Sequence, residues 1–538
     1  MFVIAAALCL APPSIAKPKP KPKRKAVQPA VAPAVAPQVA VVNLPDGRRT
    51  DLAFDGPLLG WAVPRSGGGR RSLIVLVGPK RQESRSELDT TCLVRETTPA
   101  NPQDARLYRW RPESPDRLDL LGSGLPEGAL DSADLDGDGD DDQLLQHEGQ
   151  IDLVTTSSEG SAETKPLVED AELGRSCCGP RGAWDGFSEH DVAFRATVLG
   201  AFRTYRRDPT GGVVLASEIA IPARVNAGSA RARIASPAVR PIGVTSAGRV
   251  VFATEPEALG ERRLRTLLID PDGPPATQVV ESWSLFPQPE RVVDTAFSVL
   301  DGEPVLVVTT ISAEKLSLLG EKWLRVFSLG GNRTRAGDPP IFAATTGINL
   351  WQATNPAIVD LDRDGRADLV LAYWKGLKNA IASLEVYRGA AGPRFAKARS
   401  MSFDVEGGDK GFMAFGPDAD GDGRPDLILL AEKELVVFPG VDAKAAAEKP
   451  VETRPSRRVA LPSDFPNASS DSISVGPGGF EFARAAGGLG SPHLVDLDGD
   501  GRPEALFAGN HGNGAGRLSI VAVRGESPLA RSGTIPHE

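Results

Sequence analysis

Four short segments of the chain place aspartates at alternate positions in the pattern D-x-D-x-D-G-x-x-[D/E], beginning at Asp134, Asp360, Asp418 and Asp496. Alternate carboxylates can converge on one centre, and the glycine at the sixth position permits a sharp turn. Oxygen-only ligands that carry several formal charges suit a hard cation, Ca²⁺ before Mg²⁺. The sequence therefore predicts about four calcium sites. The alternative is that the loops are acidic, solvated turns without a metal.

The loops differ from two better-known uses of the same residues. An EF-hand needs a bidentate acid at position twelve and a following helix. Position twelve here is apolar in every loop, at Leu145, Leu371, Leu429 and Phe507. The phosphatase nucleophile of haloacid dehalogenase-like enzymes has Thr or Val two residues after the second Asp, where these loops have Asp. A compact loop that joins two strands is therefore expected.

Each loop lies between a short lead-in and an apolar run, and three are followed by a second run that ends in glycine, at Gly389, Gly440 and Gly525. This order of strand, loop, strand, turn and strand is typical of a β-meander. Further hairpins without acidic loops are predicted from His190, Arg249 and Val299, and between the runs that begin at Ser72 and Arg106.

The repeated unit is too small to bury both faces of its sheet alone, so copies must pack against one another. A radial arrangement, a β-propeller, covers each sheet with its neighbours and leaves only short edges. The 57 glycines and 46 prolines exclude a long-helix protein. Only residues 441–448 look briefly helical. The length allows seven blades of about 71 residues or eight of about 62.

The four loops resemble the FG-GAP/VCBS repeats, which are also found in integrin α-subunit heads. The resemblance implies an all-β propeller, with seven blades expected and eight as the alternative, in an extracellular setting. It also implies Ca²⁺ binding through the first, third, fifth and ninth side chains and the seventh carbonyl. Those side chains are Asp134, Asp136, Asp138, Asp142, Asp360, Asp362, Asp364, Asp368, Asp418, Asp420, Asp422, Asp426, Asp496, Asp498, Asp500 and Glu504, and the carbonyls are those of Asp140, Arg366, Arg424 and Arg502.

The N-terminal segments predict export. Residues 1–16 combine an apolar run with a small-x-small ending, as in a secretory signal peptide. Residues 17–40 are a disordered linker rich in Lys, Pro and Ala, either a solvated spacer or a contact to an anionic envelope surface. Residues 41–538 are the propeller. We expect a secreted, periplasmic or cell-surface protein with no membrane span, because no later segment has about 20 continuous apolar residues.

Charge and cysteine content narrow the function classes. The formal net charge is −9 although residues 17–25 carry six positive charges, so the remaining body is acidic and nucleic acid is not an expected partner. In an oxidising compartment Cys92 could pair with Cys177 or Cys178; buried or unpaired thiols are the alternative.

Two functions from different classes stay open. The five histidines are scattered, and no hydrolase, phosphate-binding or dinucleotide-binding motif is present. His511 with Asn510 could line a sugar or carboxylate pocket, and Trp351, Tyr373 and Trp374 could form a carbohydrate-stacking platform; a mobile loop and packed core aromatics are the alternatives. We expect a calcium-stabilised binding or adhesion module for a protein or glycan ligand. A polysaccharide lyase or hydrolase on a similar propeller is the alternative.

Overall fold

Short antiparallel strands form nearly all of the regular structure, as the many glycines and prolines predict. The computed structural model describes residues 36–44, 47–66, 70–79, 105–133, 135, 141–147, 150–156, 162–169, 192–198, 201–207, 213–220, 240–244, 249–253, 263–270, 273, 278–287, 289–312, 320–329, 339–346, 355–375, 381–391, 394–396, 398–405, 413–431, 434–462, 472–476, 479–483, 493–510 and 515–523. The predicted signal peptide, most of the predicted linker and the three cysteines discussed above lie outside these ranges.

Eight antiparallel sheets, here numbered 1 to 8, follow one another along the described chain. Sheets 1 and 2 contain β3 (Leu58–Ala62), β6 (Leu73–Val77), β7 (Ala105–Arg111) and β8 (Ser114–Leu125), and β9 (Ala129–Ala133), β10 (Asp142–His147), β11 (Gln150–Thr156) and β12 (Ala162–Glu169). Sheets 3 and 4 contain β13 (Val192–Val198), β14 (Ala201–Arg207) and β15 (Val213–Ala220), and β16 (Arg240–Val244), β17 (Val250–Ala253), β18 (Arg263–Ile269) and β19 (Val279–Leu285).

The second half of the chain repeats this organisation. Sheets 5 and 6 contain β20 (Glu290–Leu300), β21 (Glu303–Ser312), β22 (Glu321–Ser328) and β23 (Phe342–Thr345), and β24 (Asn355–Val359), β25 (Asp368–Lys375), β26 (Ile381–Tyr387) and β27 (Met401–Val405). Sheet 7 contains β28 (Met413–Phe415), β29 (Leu427–Ala431), β30 (Glu434–Phe438) and β31 (Arg457–Ala460). Sheet 8 contains β34 (His493–Val495), β35 (Glu504–Asn510) and β36 (Gly516–Val523), with β2 (Gly47–Ala53) and β1 (Gln38–Leu44).

Three smaller elements complete the described chain. Two hairpins pair β4 (Arg65–Ser66) with β5 (Arg70–Arg71), and β32 (Ser472–Gly476) with β33 (Gly479–Ala483). A 3-10 helix, Ala445–Ala447, lies within the segment that the sequence predicts to be helical. No helix of the described chain is long and apolar enough to cross a membrane.

The hairpins predicted without acidic loops are confirmed. β6 pairs with β7, β13 with β14 and β17 with β18. β20 and β21 are joined by a two-residue turn at Asp301 and Gly302, whose φ angles are 51° and 77°. Positive φ at both positions is the conformation that Asp-Gly supplies in a tight hairpin.

The central strands β6, β21 and β25 are buried on both faces, since successive side chains point to opposite sides of the sheet and both sides are covered. In β25, Leu369 and Leu371 pack with residues of sheet 5, whereas Val370 and Ala372 pack with residues of sheet 7. All four side chains are 0% exposed. This double burial explains why the strands read as continuous apolar runs and do not alternate apolar with polar residues.

Buried apolar clusters join the sheets in the order of the chain. In the described residues one cluster connects each sheet with the next, from sheet 1 through to sheet 8. A further cluster joins sheet 8 to sheet 1 and contains Leu52, Leu73, Tyr108 and Leu506. Packing therefore returns to the first sheet after the last.

Sheet 8 combines both ends of the described chain. β2 pairs with β36 along its whole length, with Leu52 opposite Leu518. Asp51 accepts a hydrogen bond of 2.7 Å from the Ser519 hydroxyl. The outermost strand, β1, begins at Gln38, so the last three residues of the segment 17–40 belong to a strand; the predicted boundary at 41 lies three residues too late.

Truncation of Leu52 tests the pairing of the two chain ends. Leu52 is 0% exposed between sheets 8 and 1, so Leu52→Ala should lower the free energy of unfolding by about 2–5 kcal/mol. Leu120, in β8, is 50% exposed, and Leu120→Ala should change it by less than about 0.5 kcal/mol. Urea denaturation measures both. Equal effects of the two substitutions would contradict the burial of β2.

Candidate metal centres

The acidic loops join the first strand of a sheet to the second. The second loop (360–368) lies between β24 and β25, the third (418–426) between β28 and β29, and the fourth (496–504) between β34 and β35. Of the first loop, Asp134, Asp136, Asp138 and Asp140 lie outside the described residues. Asp142 opens β10, and its Oδ2 accepts a 3.0 Å hydrogen bond from the Leu135 amide.

Backbone amides fold each of the three described loops around its first aspartate. The Gly365 amide donates to Asp360 Oδ2 at 2.9 Å, and the equivalent bond is 2.8 Å in the third loop and 3.0 Å in the fourth. The sixth-position glycines have φ of +84°, +80° and +85°. Left-handed backbone of this kind is easily adopted only by glycine, which explains the residue at this position.

The turns bring carboxylates together as the sequence predicts. Three groups have one oxygen per residue within 4.8 Å of one another: Asp360, Asp362 and Asp364; Asp418, Asp420 and Asp426; and Asp496, Asp498 and Asp500. In the second and fourth loops the group consists of the acids at the first, third and fifth positions. In the third loop the ninth-position acid takes the place of the fifth.

In the third loop the fifth-position carboxylate is held by an arginine. Arg424 Nε donates to Asp422 Oδ2 at 2.7 Å, and the Nη2 of the same arginine bonds to that oxygen too. The equivalent separations are longer in the other loops, 3.4 Å from Arg366 to Asp364 and 3.9 Å in the fourth loop. The seventh-position carbonyls stay predicted ligands.

The ninth-position acid ties its loop to the strands behind it. Asp426 Oδ2 accepts from the Ala419 amide at 2.8 Å, at the start of the loop. Asp426 Oδ1 accepts at 2.8 Å from the amide of Gly440, which follows the third strand of the sheet. Asp368 makes the same two bonds in the second loop, with Leu361 and Gly389. One carboxylate thus joins three separate segments of a sheet.

Gly389 and Gly440, which follow the third strands of sheets 6 and 7, lie against the backbone of the acidic loops. A Cβ on Gly389 would lie 2.8 Å from the Ala367 carbonyl oxygen, and one on Gly440 would lie 2.6 Å from that of Pro425. Only glycine allows the backbone to come close enough for its amide to reach the ninth-position acid.

Burial and like charge raise the pKa values of several loop acids. Burial, together with the charges of neighbouring aspartates, raises the pKa of Asp426 to about 7 and that of Glu504 to about 8. Burial, then the charge of a neighbouring aspartate, also raises the pKa of Asp420 and Asp498. The ionised carboxylates are therefore disfavoured where no cation compensates them.

Arginines also connect neighbouring loops. Arg363, at the fourth position of the second loop, donates a 3.0 Å hydrogen bond to the Gly423 carbonyl of the third loop. A Cβ on Gly421, in the third loop, would overlap the guanidinium of Arg502 from the fourth loop. The three loops therefore lie side by side on sheets 6, 7 and 8.

Other candidate residues do not join these loops. His147 Nε2 lies 2.8 Å from the buried Asp152 in sheet 2. Tyr373 is 4% exposed and its hydroxyl donates to Glu385 at 3.3 Å, so it belongs to the core and not to a stacking platform. Trp374 is partly buried against the core between sheets 6 and 7. Trp351 and His511 lie outside the described residues, as does the side chain of Asn510.

The geometry of the three groups fits a calcium ion. Two oxygens bound to one Ca²⁺ at 2.3–2.6 Å lie at most about 5 Å apart, and the oxygens of each group lie within 4.8 Å. Every side-chain donor is a carboxylate, the ligand type that hard cations prefer. An ion held by these residues would supply charge compensation to a loop whose acids repel one another.

Comparisons with known proteins give no family. No family model matches the chain, and no curated protein matches its sequence. Among solved structures, BBS1N in complex with ARL6DN, soaked with mercury, is 12% identical, with a TM-score of 0.34 over 73% of this chain and 91% of that chain. The core factor of S. cerevisiae is 8% identical, with a TM-score of 0.33 over 75% of this chain and 58% of that chain.

Removal of Asp426 tests the role of the ninth-position acid. In the presence of a chelator, Asp426→Ala should lower the free energy of unfolding by about 2–5 kcal/mol, because it leaves the Ala419 and Gly440 amides without an acceptor. Glu434→Ala removes an exposed partner of Arg458 and should cost less than about 1 kcal/mol. Chemical denaturation compares the two variants. Equal losses would show that Asp426 holds no segments together.

Proposed function

We propose that this chain is an exported β-propeller of the FG-GAP/VCBS type that is stabilised by Ca²⁺ and acts as a binding or adhesion module for a protein or glycan ligand. The observation that carries the proposal is the recurrence of one loop geometry on three consecutive sheets. Each loop has the same amide bond to its first aspartate, the same glycine conformation and a group of three convergent carboxylates.

The packing order supports a propeller of eight blades, the alternative to the seven that the family resemblance implies. Eight sheets are described, and the cluster that contains Leu52 and Leu506 joins the last to the first. A blade completed by strands from both chain ends resists opening, because β2 and β36 share a full ladder of backbone hydrogen bonds. Each sheet would then be one blade.

The calcium ions would have a structural role, in which each ion stabilises one sheet. Each acid group lies within one sheet, and in the second and third loops the ninth-position acid already links two strands of that sheet. An ion there would neutralise carboxylates whose pKa values are raised by burial. Secretion, which residues 1–16 predict, would expose the loops to the millimolar Ca²⁺ that weak extracellular sites need.

The binding role rests on the adjacency of the loops. Loops from sheets 6, 7 and 8 contact one another through Arg363 and Arg502, so a partner would meet several loops at once on a rigid scaffold. Loops held in this way are the usual place for recognition. The fold alone does not choose a ligand, and the polysaccharide-cleaving alternative stays a prediction.

Thermal unfolding with and without Ca²⁺ tests whether the ions stabilise the fold. Each occupied site should add about 2.7 kcal/mol when free Ca²⁺ is a hundred times its Kd, so the Tm of the full chain should rise by several degrees over the value in excess chelator. Mg²⁺ should raise it less, because Mg²⁺ requires near-ideal octahedral geometry and gives up its bound water reluctantly. A control that combines Asp360→Ala, Asp418→Ala and Asp496→Ala should lose most of the shift. An equal shift in that control would contradict the assignment.

Ligand arrays test the binding role. The full chain should bind a glycan or protein on an array in Ca²⁺, and the same triple variant should bind more weakly at the same concentration, because its loops are no longer held. Absence of binding, together with new chain ends in an acidic polysaccharide incubated with the protein, would favour the enzyme alternative.

A further inference from the structure

One arginine enters the second loop from outside it. Arg388 follows β26, twenty residues beyond the end of the loop. Its Nη1 lies 2.8 Å from Asp368 Oδ2 and 3.3 Å from Asp362 Oδ2. These acids are the ninth and third positions of the loop, so a fixed positive charge already sits between two of the predicted calcium ligands.

The backbone beside Arg388 and the guanidinium at the end of its side chain are both held by hydrogen bonds. The next residue, Gly389, donates its amide to Asp368 Oδ1 at 2.8 Å. The Nη2 of Arg388 donates to the carbonyl of Ala446, in the 3-10 helix of sheet 7. The side chain is 18% exposed. A guanidinium held by a neighbouring sheet cannot leave the loop without loss of that contact.

The third loop has no equivalent group. The position before Gly440, which matches Arg388, is Pro439. In the third loop the ninth-position Asp426 belongs to the convergent group, whereas in the second loop Asp368 does not. The Asp368 oxygens accept hydrogen bonds from Arg388 as well as from the amides of Leu361 and Gly389. The two loops thus differ in the environment of the same acid.

Calcium affinity in such loops depends on the number of ligand charges and on the rigidity of the site. The three described loops contain four acids each. Arg363, although it belongs to the second loop, donates to the third, so the charge added to the ligands of the second loop is that of Arg388.

We propose that Arg388 is an internal cation that makes the second loop the weakest Ca²⁺ site of the three described loops. The inference rests on the proposed function, because it takes the loops to bind Ca²⁺. The guanidinium compensates Asp362 and Asp368 when Ca²⁺ is scarce, and an entering ion must meet its repulsion. Sheet 6 would keep its strands tied over a range of Ca²⁺ concentration in which sheet 7 depends on the ion.

A calcium titration of the full chain tests this assignment. Isothermal titration calorimetry should resolve one site weaker than the others in the natural protein. Arg388→Gln removes the charge while keeping a polar side chain, and it should tighten that site by at least about tenfold, because a unit charge about 5 Å from a divalent ion has roughly that effect even at the dielectric constant of bulk water. Arg388→Lys keeps the charge and should leave the site weak. Arg394→Gln, which removes an exposed arginine paired with Asp301, should change nothing.

Two further variants assign the effect to the right loop. In an Asp360→Ala background the weak site should be lost and Arg388→Gln should no longer alter the titration. Pro439→Arg places a guanidinium beside the third loop and should weaken that site by a similar factor, which keeps the test available if Arg388→Gln does not fold. If the natural protein binds Ca²⁺ but neither Arg388→Gln nor Pro439→Arg changes the binding, the inference about Arg388 is overturned and the proposed function stands. Absence of Ca²⁺ binding in the natural protein overturns the proposed function as well.

Discussion

A buried carboxylate at the end of each of the second, third and fourth acidic loops is the interaction on which sheets 6, 7 and 8 depend. Asp426 is 0% exposed, Asp368 2% and Glu504 6%. A buried carboxylate is unfavourable unless its oxygens have partners, and here backbone amides supply them. The Asp368 and Asp426 bonds fix the loop to the start of the second strand and to the residue after the third. The position of the other carboxylates then follows from the backbone.

This constraint connects the metal chemistry to the fold. The amides turn three carboxylates of each described loop toward one another, at the first, third and fifth positions in the second and fourth loops and at the first, third and ninth in the third. Burial raises the pKa values of the ninth-position acids Asp426 and Glu504. A cation would relieve a repulsion that the fold itself creates. The same strands are covered on both faces by neighbouring sheets, so a loop held in place also holds the edge of two apolar clusters. Loop geometry and packing therefore stabilise each other.

The sequence predicted the local features well, because they depend on neighbouring residues. Asp360 and Gly365 lie within one turn, and the Asp301-Gly302 hairpin needs only two residues. The number of sheets was harder to predict, since sheets 1, 3, 4 and 5 lack acidic loops. Sequence reasoning also started the ordered region at residue 41, because the pairing of β1 and β2 with the C-terminal strand β36 involves residues that lie nearly the whole chain apart.

Side-chain contacts between segments that are distant in the sequence were not predictable from it. The approach of Arg388 to Asp362 depends on the turn after β26, and that of Arg363 to Gly423 depends on how sheets 6 and 7 pack. No spacing rule connects such positions. The role of Gly389 and Gly440 had a signal, their recurrence after the third strand, but the acid that each of them meets became visible only in three dimensions.

The central proposal is that the carboxylates of the second, third and fourth loops would each hold one Ca²⁺ ion. The most direct measurement is an anomalous difference map from crystals of the protein grown with Ca²⁺. The account predicts one peak within about 2.3–2.6 Å of the carboxylate oxygens in each of the third and fourth loops, with a weaker peak in the second. Loops that keep their amide bonds but show no peak at saturating Ca²⁺ would contradict it.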